Sequence, residues 1–176
     1  HIEAITPDGK YAVGICTMGG FDEVPTMWDI SSKSIIALPG LPDSDLSGHY
    51  QDMTRLTGIS ADGRYIVGCV SYSYPADILY FLYDRQTATW DALAFDYNKA
   101  TNQYTTRDES VRTLDGICIS SNGKWVGGIV YSTQDVRHPF RYNVETKTFE
   151  NFNRPEDLDK GCVVIDNEGT LYAATP

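Results

Sequence analysis

Ala61-Asp62-Gly63-Arg64-Tyr65-Ile66-Val67-Gly68 is the stretch whose reading decides the fold. An Asp-Gly pair supplies the positive φ of a tight hairpin turn, and the residues after it alternate as a strand does. Tyr65, Val67 and Cys69 fall on one face, Ile66, Gly68 and Val70 on the other. The same pattern stands at Pro7-Asp8-Gly9-Lys10-Tyr11-Ala12-Val13-Gly14 and at Ser121-Asn122-Gly123-Lys124-Trp125-Val126-Gly127-Gly128. Trp28-Asp29, Tyr83-Asp84 and Tyr142-Asn143 follow 14 or 15 residues after the last glycine. Seven residues further stand Ile35, Trp90 and Phe149, and three beyond those Leu38, Leu93 and Phe152. A fourth copy opens at Cys162-Val163-Val164-Ile165 and Asn167-Glu168-Gly169-Thr170-Leu171-Tyr172.

Each repeat reads as four short antiparallel strands. In the second copy these are Leu56 to Ser60, the alternating stretch from Tyr65, Leu79 to Asp84, and Thr89 to Leu93. No segment carries a helical period. Four-stranded repeats at periods of 54 and 60 residues predict an all-β chain built of β-propeller blades. A β-sandwich also spaces short strands with turns, but it gives no reason for these landmarks to recur in fixed order. The expected blades are about 2–38, 55–93 and 114–152, with half a blade at 160–174. Three and a half blades suggest a piece of a larger ring, or closure between chains, and open edges through which copies associate. The recurring Trp28, Tyr83 and Tyr142 are expected between adjacent blades, and the glycines after Val13 and Val67 where blades crowd the axis.

Ser60-Ala61-Asp62-Gly63-Arg64-Tyr65-Ile66-Val67-Gly68 resembles the HAF repeat of extracellular bacterial proteins, and Pro7-Asp8-Gly9-Lys10 is similar to the WD40-like repeat of the TolB family. The resemblance covers the three full repeats and rests on turn and packing positions. It therefore implies a fold, and an extracytoplasmic location in the periplasm or at the cell surface, but no activity.

The chain has 176 residues and a formal net charge of -10. That balance argues against a nucleic-acid partner, which needs a basic face. No apolar run approaches the ~20 residues of a membrane-spanning helix. Cys16, Cys69, Cys118 and Cys162 form no CxxC pair, so a zinc site is not expected, and each reads as a small buried hydrophobe.

Any chemistry is expected on the loops that gather at one end of the blades: 17–25, 39–54, 71–78, 94–113, 131–138 and 153–159. They hold 13 of the 24 acidic residues against five of the 14 basic ones, which directs a cationic partner there. Asp43, Asp45 and Asp52 lie within ten residues and offer oxygen ligands, so calcium is the one metal this pattern admits; otherwise no cofactor is expected. His49, Tyr50, Tyr72, Tyr74, Tyr97 and Tyr104 complete a surface suited to a protein or a glycan. There is no Gly-x-Ser-x-Gly elbow and no paired base, and the positions nearest the axis read as Ile, Thr, Gly and Tyr. The expected function is a non-catalytic binding module of a secreted or periplasmic bacterial protein. The alternative is a propeller hydrolase or lyase with a carboxylate or calcium site.

Overall fold

The computed structural model describes residues 1–17, 23–39, 51–73, 76–93, 95–98, 103–106, 111–132, 137–152 and 162–174. The regular elements among these residues are all strands. Three four-stranded antiparallel sheets follow in chain order: β1 to β4 (Ile2–Ile5, Tyr11–Thr17, Glu23–Asp29, Ser34–Ala37), β5 to β8 (Gln51–Ile59, Tyr65–Ser73, Ala76–Asp84, Thr89–Ala92) and β11 to β14 (Val111–Ile119, Trp125–Ser132, Arg137–Asn143, Thr148–Asn151). A two-stranded hairpin, β9 and β10 (Phe95–Asn98, Gln103–Thr106), lies between the second and third sheets in sequence. A second one, β15 and β16 (Cys162–Ile165, Leu171–Ala174), follows the third. Each sheet is a meander of neighbours in sequence, and the first strands β1, β5, β11 and β15 touch in succession. These are propeller blades, with the first strand of each innermost.

The strands run further than the sequence suggests. β5 begins at Gln51 rather than Leu56, β6 continues to Ser73, and β7 starts at Ala76. Most of the expected loop 71–78, about half of 94–113 and the last four residues of 39–54 are therefore strand. The innermost strands of the three four-stranded sheets each take up an extra residue in a bulge, at Ile2/Ala4, Leu56/Gly58 and Asp115/Cys118, and β5 and β11 shift again at Gln51/Met53 and Val111/Thr113. Glycines sit opposite the first two. A Cβ on Gly14 would lie 2.0 Å from the His1 carbonyl oxygen, and one on Gly68 2.3 Å from that of Arg55. The crowding predicted for these glycines is thus real, but it comes from the bulged strand of the same sheet.

One row of side chains recurs across the sheets. It runs Ile59–Ile66–Tyr83–Trp90 in the second and Ile119–Val126–Tyr142–Phe149 in the third. Both rows face the preceding sheet. Ile66 and Tyr83 pack with Val13 and Met27 of the first sheet, and Val126 and Tyr142 with Val67 and Leu82 of the second. Ile129 meets Val163 and Leu171 in the same manner. Tyr83 and Tyr142 are buried as expected. Trp28 is only half-buried, because its row, Ile5–Ala12–Trp28–Ile35, has no sheet over it among the described residues; Ile5 and Ile35 are 58% and 64% exposed. Cys16, Cys69 and Cys118 are half-buried rather than fully buried.

Candidate functional site

The end of each sheet that carries the β-turn glycine is built by one device used four times. In the first three copies a buried hydroxyl residue two before the Asp or Asn closes the turn: Thr6, Ser60 and Ser120. Each hydroxyl donates to the side chain of Asp8, Asp62 or Asn122 at 2.6, 2.6 and 2.8 Å. It accepts from the backbone N–H of Tyr11, Tyr65 or Trp125 at 3.0, 2.9 and 3.0 Å. The acidic or amide oxygen also accepts the N–H of Lys10, Arg64 or Lys124. In the fourth copy Asp166 replaces the pair and takes the N–H groups of Glu168 and Thr170 directly. Sequence reading found the glycines and missed the hydroxyls, although Thr6, Ser60 and Ser120 stand three residues before Gly9, Gly63 and Gly123 each time.

Successive sheets are latched at the same end. The ring of Tyr11 lies on Gly63, that of Tyr65 on Gly123, and that of Trp125 on Gly169, so that a Cβ at these glycines would come within 2.6 to 2.7 Å of a ring carbon. Cations cover the outer faces of the rings: Arg85 and Lys10 over Tyr11, Arg64 over Tyr65, Arg141 over Trp125. Arg85 and Arg141 also donate to the carbonyls of Gly63 and Gly169.

The turns between third and fourth strands repeat too. Asp29, Asp84 and Asn143 accept the N–H two residues on, and Lys33, Ala88 and Lys147 take φ of 55, 54 and 57°. Arg64 holds Asp84 in a two-point contact at 2.9 and 2.8 Å.

These contacts set the charge state of the carboxylates. The Thr6 hydroxyl lowers the pKa of Asp8, the Ser31 hydroxyl that of Asp29, the Arg64 guanidinium that of Asp84, and the Thr170 N–H that of Asp166. Tyr65 and Tyr83 are raised by burial, and Tyr172 by its hydrogen bond to Asp166. A carboxylate held ionised as an acceptor braces a turn; it does not deliver a proton.

The innermost strands carry a second polar level. His1, Arg55 and Asp115 each stand eight residues before a turn glycine, and Glu3, Thr57 and Ile117 six before, inside the bulges. The expectation of only Ile, Thr, Gly and Tyr near the axis is thereby corrected: the fixed offset from the glycine was the signal, and it was not followed upstream of the strand. Glu3 accepts the Leu56 N–H at 2.8 Å and lies 3.7 Å from His1 Nε2, tying the first sheet to the second. The Thr57 hydroxyl at the same level is buried and has no hydrogen-bond partner among the described residues.

Of the loop-end residues, Asp43, Asp45, His49, Tyr50 and Tyr74 lie outside the described residues. Asp52, Tyr72, Tyr97 and Tyr104 are placed by backbone alone, all on strands rather than loops: Asp52 on β5 beside Gln51, which pairs with Tyr72 of β6, and Tyr97 on β9 directly opposite Tyr104 of β10. The register thus brings Asp52 and Tyr72 to one end of the second sheet, away from the braced turn. Among the described residues no group of three or more His, Cys, Asp or Glu is arranged to hold a metal ion.

No protein-family model matches the chain, and no curated protein matches it. Solved propellers do. The chain is similar to TolB from Acinetobacter baumannii, with a TM-score of 0.57 and 14% identity over 94% of this chain and 35% of that one. A TolB-type protein from Agrobacterium tumefaciens gives a TM-score of 0.57 and 13% identity over 96% of this chain and 62% of the other. The β-propeller domain of the Trilobed protease from Pyrococcus furiosus, which has an open velcro topology, gives 0.55 and 10% over 93% and 45%. At these identities the likeness is one of fold. The chain spans 35% and 62% of the length of the two TolB-type proteins.

Proposed function

We infer that the chain is a non-catalytic binding module of a secreted or periplasmic bacterial protein. In this reading it holds a protein or glycan through Asp43, Asp45, His49, Tyr50, Asp52, Tyr72, Tyr74, Tyr97 and Tyr104. One observation supports it: Asp8, Asp29, Asp84 and Asp166 are engaged in bracing the hairpins, as acceptors from Thr6, Ser31, Arg64 and Thr170. The extracytoplasmic location is supported by the resemblance of the repeat to extracellular HAF proteins, and a basic or tyrosine-seeking partner by the acidic, tyrosine-rich composition of those segments of the sequence.

The test uses two probes, calcium chloride by calorimetry and a fluorescent lysine-rich peptide by anisotropy, on the wild type and on Asp43→Asn/Asp45→Asn/Asp52→Asn. Peptide binding that weakens as salt rises and is lost in the triple variant is the expected result. Equal binding by both proteins removes the acidic cluster from the reading. Calcium heat that disappears in the triple variant transfers the cluster to a metal site instead.

A further inference from the structure

The innermost strands repeat residue by residue. Counted back from the turn glycine, His1, Ile2 and Glu3 of β1 correspond to Arg55, Leu56 and Thr57 of β5, and these to Asp115, Gly116 and Ile117 of β11. Glu3 and Thr57 are each the unpaired residue of a bulge, so their side chains leave the strand at the same point of the repeat. Where the first sheet meets the second, the Glu3 carboxylate accepts the Leu56 N–H at 2.8 Å, and His1 Nε2 stands 3.7 Å from its other oxygen. Where the second sheet meets the third, the shorter Thr57 stands in place of Glu3, and Gly116 in place of Leu56.

Two observations mark this second junction. The Thr57 hydroxyl is buried without a hydrogen-bond partner among the described residues, a costly state for a group that both donates and accepts. With no partner to hold it, the hydroxyl can take the rotamer that meets a ligand. Gly116, at a φ of 54°, drops out of the ladder, which passes from Asp115↔Ile129 to Cys118↔Gly127, and a Cβ on it would meet nothing within 4 Å. Open space and an unanswered hydroxyl thus stand where the first junction has a carboxylate of its own. Arg55 takes the place of His1; it is already engaged, but a guanidinium has more donors than one partner uses.

We propose that the second junction binds a carboxylate from outside the chain, held by the Thr57 hydroxyl and the Gly116 N–H as Glu3 is held by the Leu56 N–H, with Arg55 beside it. The ligand class is a short unbranched carboxylate, free or as the glutamate side chain of a polypeptide, because the group it replaces is itself a glutamate. Asp115 stands in β11 where Arg55 stands in β5, and the chain has a net charge of -10, so binding in the millimolar range is expected. The proposal uses none of the binding residues named under the proposed function and stands or falls apart from them.

The test is amide-resolved NMR on the isotope-labelled chain, titrated with sodium acetate and with the peptide acetyl-Ala-Glu-Ala-amide, and with sodium chloride and acetamide as controls. Saturating shifts centred on the Thr57 and Gly116 amides are expected with the carboxylates and with neither control. Thr57→Val removes the hydroxyl at nearly the same shape and should weaken acetate binding by about tenfold or more. Thr57→Glu should fill the junction with the chain's own carboxylate, so that the Gly116 amide is shifted before any ligand is added and acetate has no further effect. Unchanged amide positions away from the junction establish that each variant is folded, and Thr57→Val decides alone if Thr57→Glu does not fold. Binding of acetate without the peptide assigns the site to free carboxylates; tighter binding of the peptide assigns it to a protein partner. The proposal is overturned if neither carboxylate gives saturating shifts at Thr57 and Gly116. Equal shifts with chloride, an adventitious ion only, overturn it too, as does unchanged acetate affinity in Thr57→Val.

Discussion

Gly9 and Gly63 hold the same place in successive hairpins, with the same φ of 70°, yet alanine at the two should have different costs. At Gly9 the new methyl meets nothing within 4 Å, so Gly9→Ala carries only the strain of a left-handed alanine. That strain is ~1–2 kcal/mol, offset in part by the smaller entropy of the unfolded chain, which leaves about 1 kcal/mol. At Gly63 the methyl would also lie 2.6 Å from Cδ2 and 2.9 Å from Cε2 of Tyr11, well inside contact distance. The ring must move off the turn, and overpacking of this kind adds about 1–3 kcal/mol. Gly63→Ala should therefore destabilise by about 2–4 kcal/mol, at least 1 kcal/mol more than Gly9→Ala. Urea unfolding followed by far-ultraviolet dichroism measures both, and the second arm of the experiment repeats Gly63→Ala in a Tyr11→Ala background. There the extra cost should vanish, leaving only the backbone strain. Equal costs at the two glycines, or a Gly63→Ala penalty that persists without the Tyr11 ring, would refute the aromatic latch as the contact that registers one sheet on the next.

Three further outcomes are expected. Ala88 adopts a φ of 54° with no side-chain hydrogen bond to reward it, so Ala88→Gly should raise stability by about 0.5–1 kcal/mol in the same unfolding assay. Tyr83→Ala removes a buried ring and should cost about 3–5 kcal/mol, whereas Trp28→Ala, on the uncovered row, should cost about half of that; thermal melts that rank them the other way would reverse the assignment of faces. Asp8, Asp29, Asp84 and Asp166 have folded pKa values below their unfolded ones, so their contribution is complete above the ordinary carboxylate range of about 4 and is lost as pH falls through the lowered values. Melting temperatures should accordingly hold level from neutral pH down to about pH 5 and drop below pH 4, with a shallower acid limb in Asp84→Asn.

The fold was legible because its signals are local. Asp-Gly and Asn-Gly turns, two-residue alternation and Trp-Asp or Tyr-Asp landmarks each specify a hairpin by themselves, and their fixed order specifies the sheet. Strand length was less so. Whether Gln51 to Arg55 extends β5 depends on a bulge at Leu56/Gly58 and on Gly68 opposite it, a pairing some ten residues away that no local pattern announces. The half-burial of Trp28 was likewise invisible, since Trp28 and Tyr83 carry equivalent sequence and differ only in what lies over them. The braces at Thr6, Ser60 and Ser120 could have been read from the repeat, had the alignment been carried one residue before Pro7, Ala61 and Ser121. Of the proposed binding residues, the pairing sets Tyr97 opposite Tyr104 and Tyr72 opposite Gln51, next to Asp52; Asp43, Asp45, His49, Tyr50 and Tyr74 lie outside the described residues.

The meander order has a consequence for how the chain opens. Every sheet is drawn from one continuous segment, and among the described residues its main contacts are with the sheets next to it in sequence. Such an array behaves as a one-dimensional chain of coupled units, in which folding begins in any one unit and spreads outward. The second sheet is clamped from both sides and should close first and open last. Among the described residues the two-stranded β15–β16 hairpin packs on the third sheet through Val163 and Leu171, the Trp125 ring on Gly169, and hydrogen bonds from Asn122, Arg141 and Cys118. Amide exchange should therefore run as a gradient along the sequence, slowest in β6 and β7, and fastest in the final hairpin, which can detach and rejoin while the other sheets stay closed.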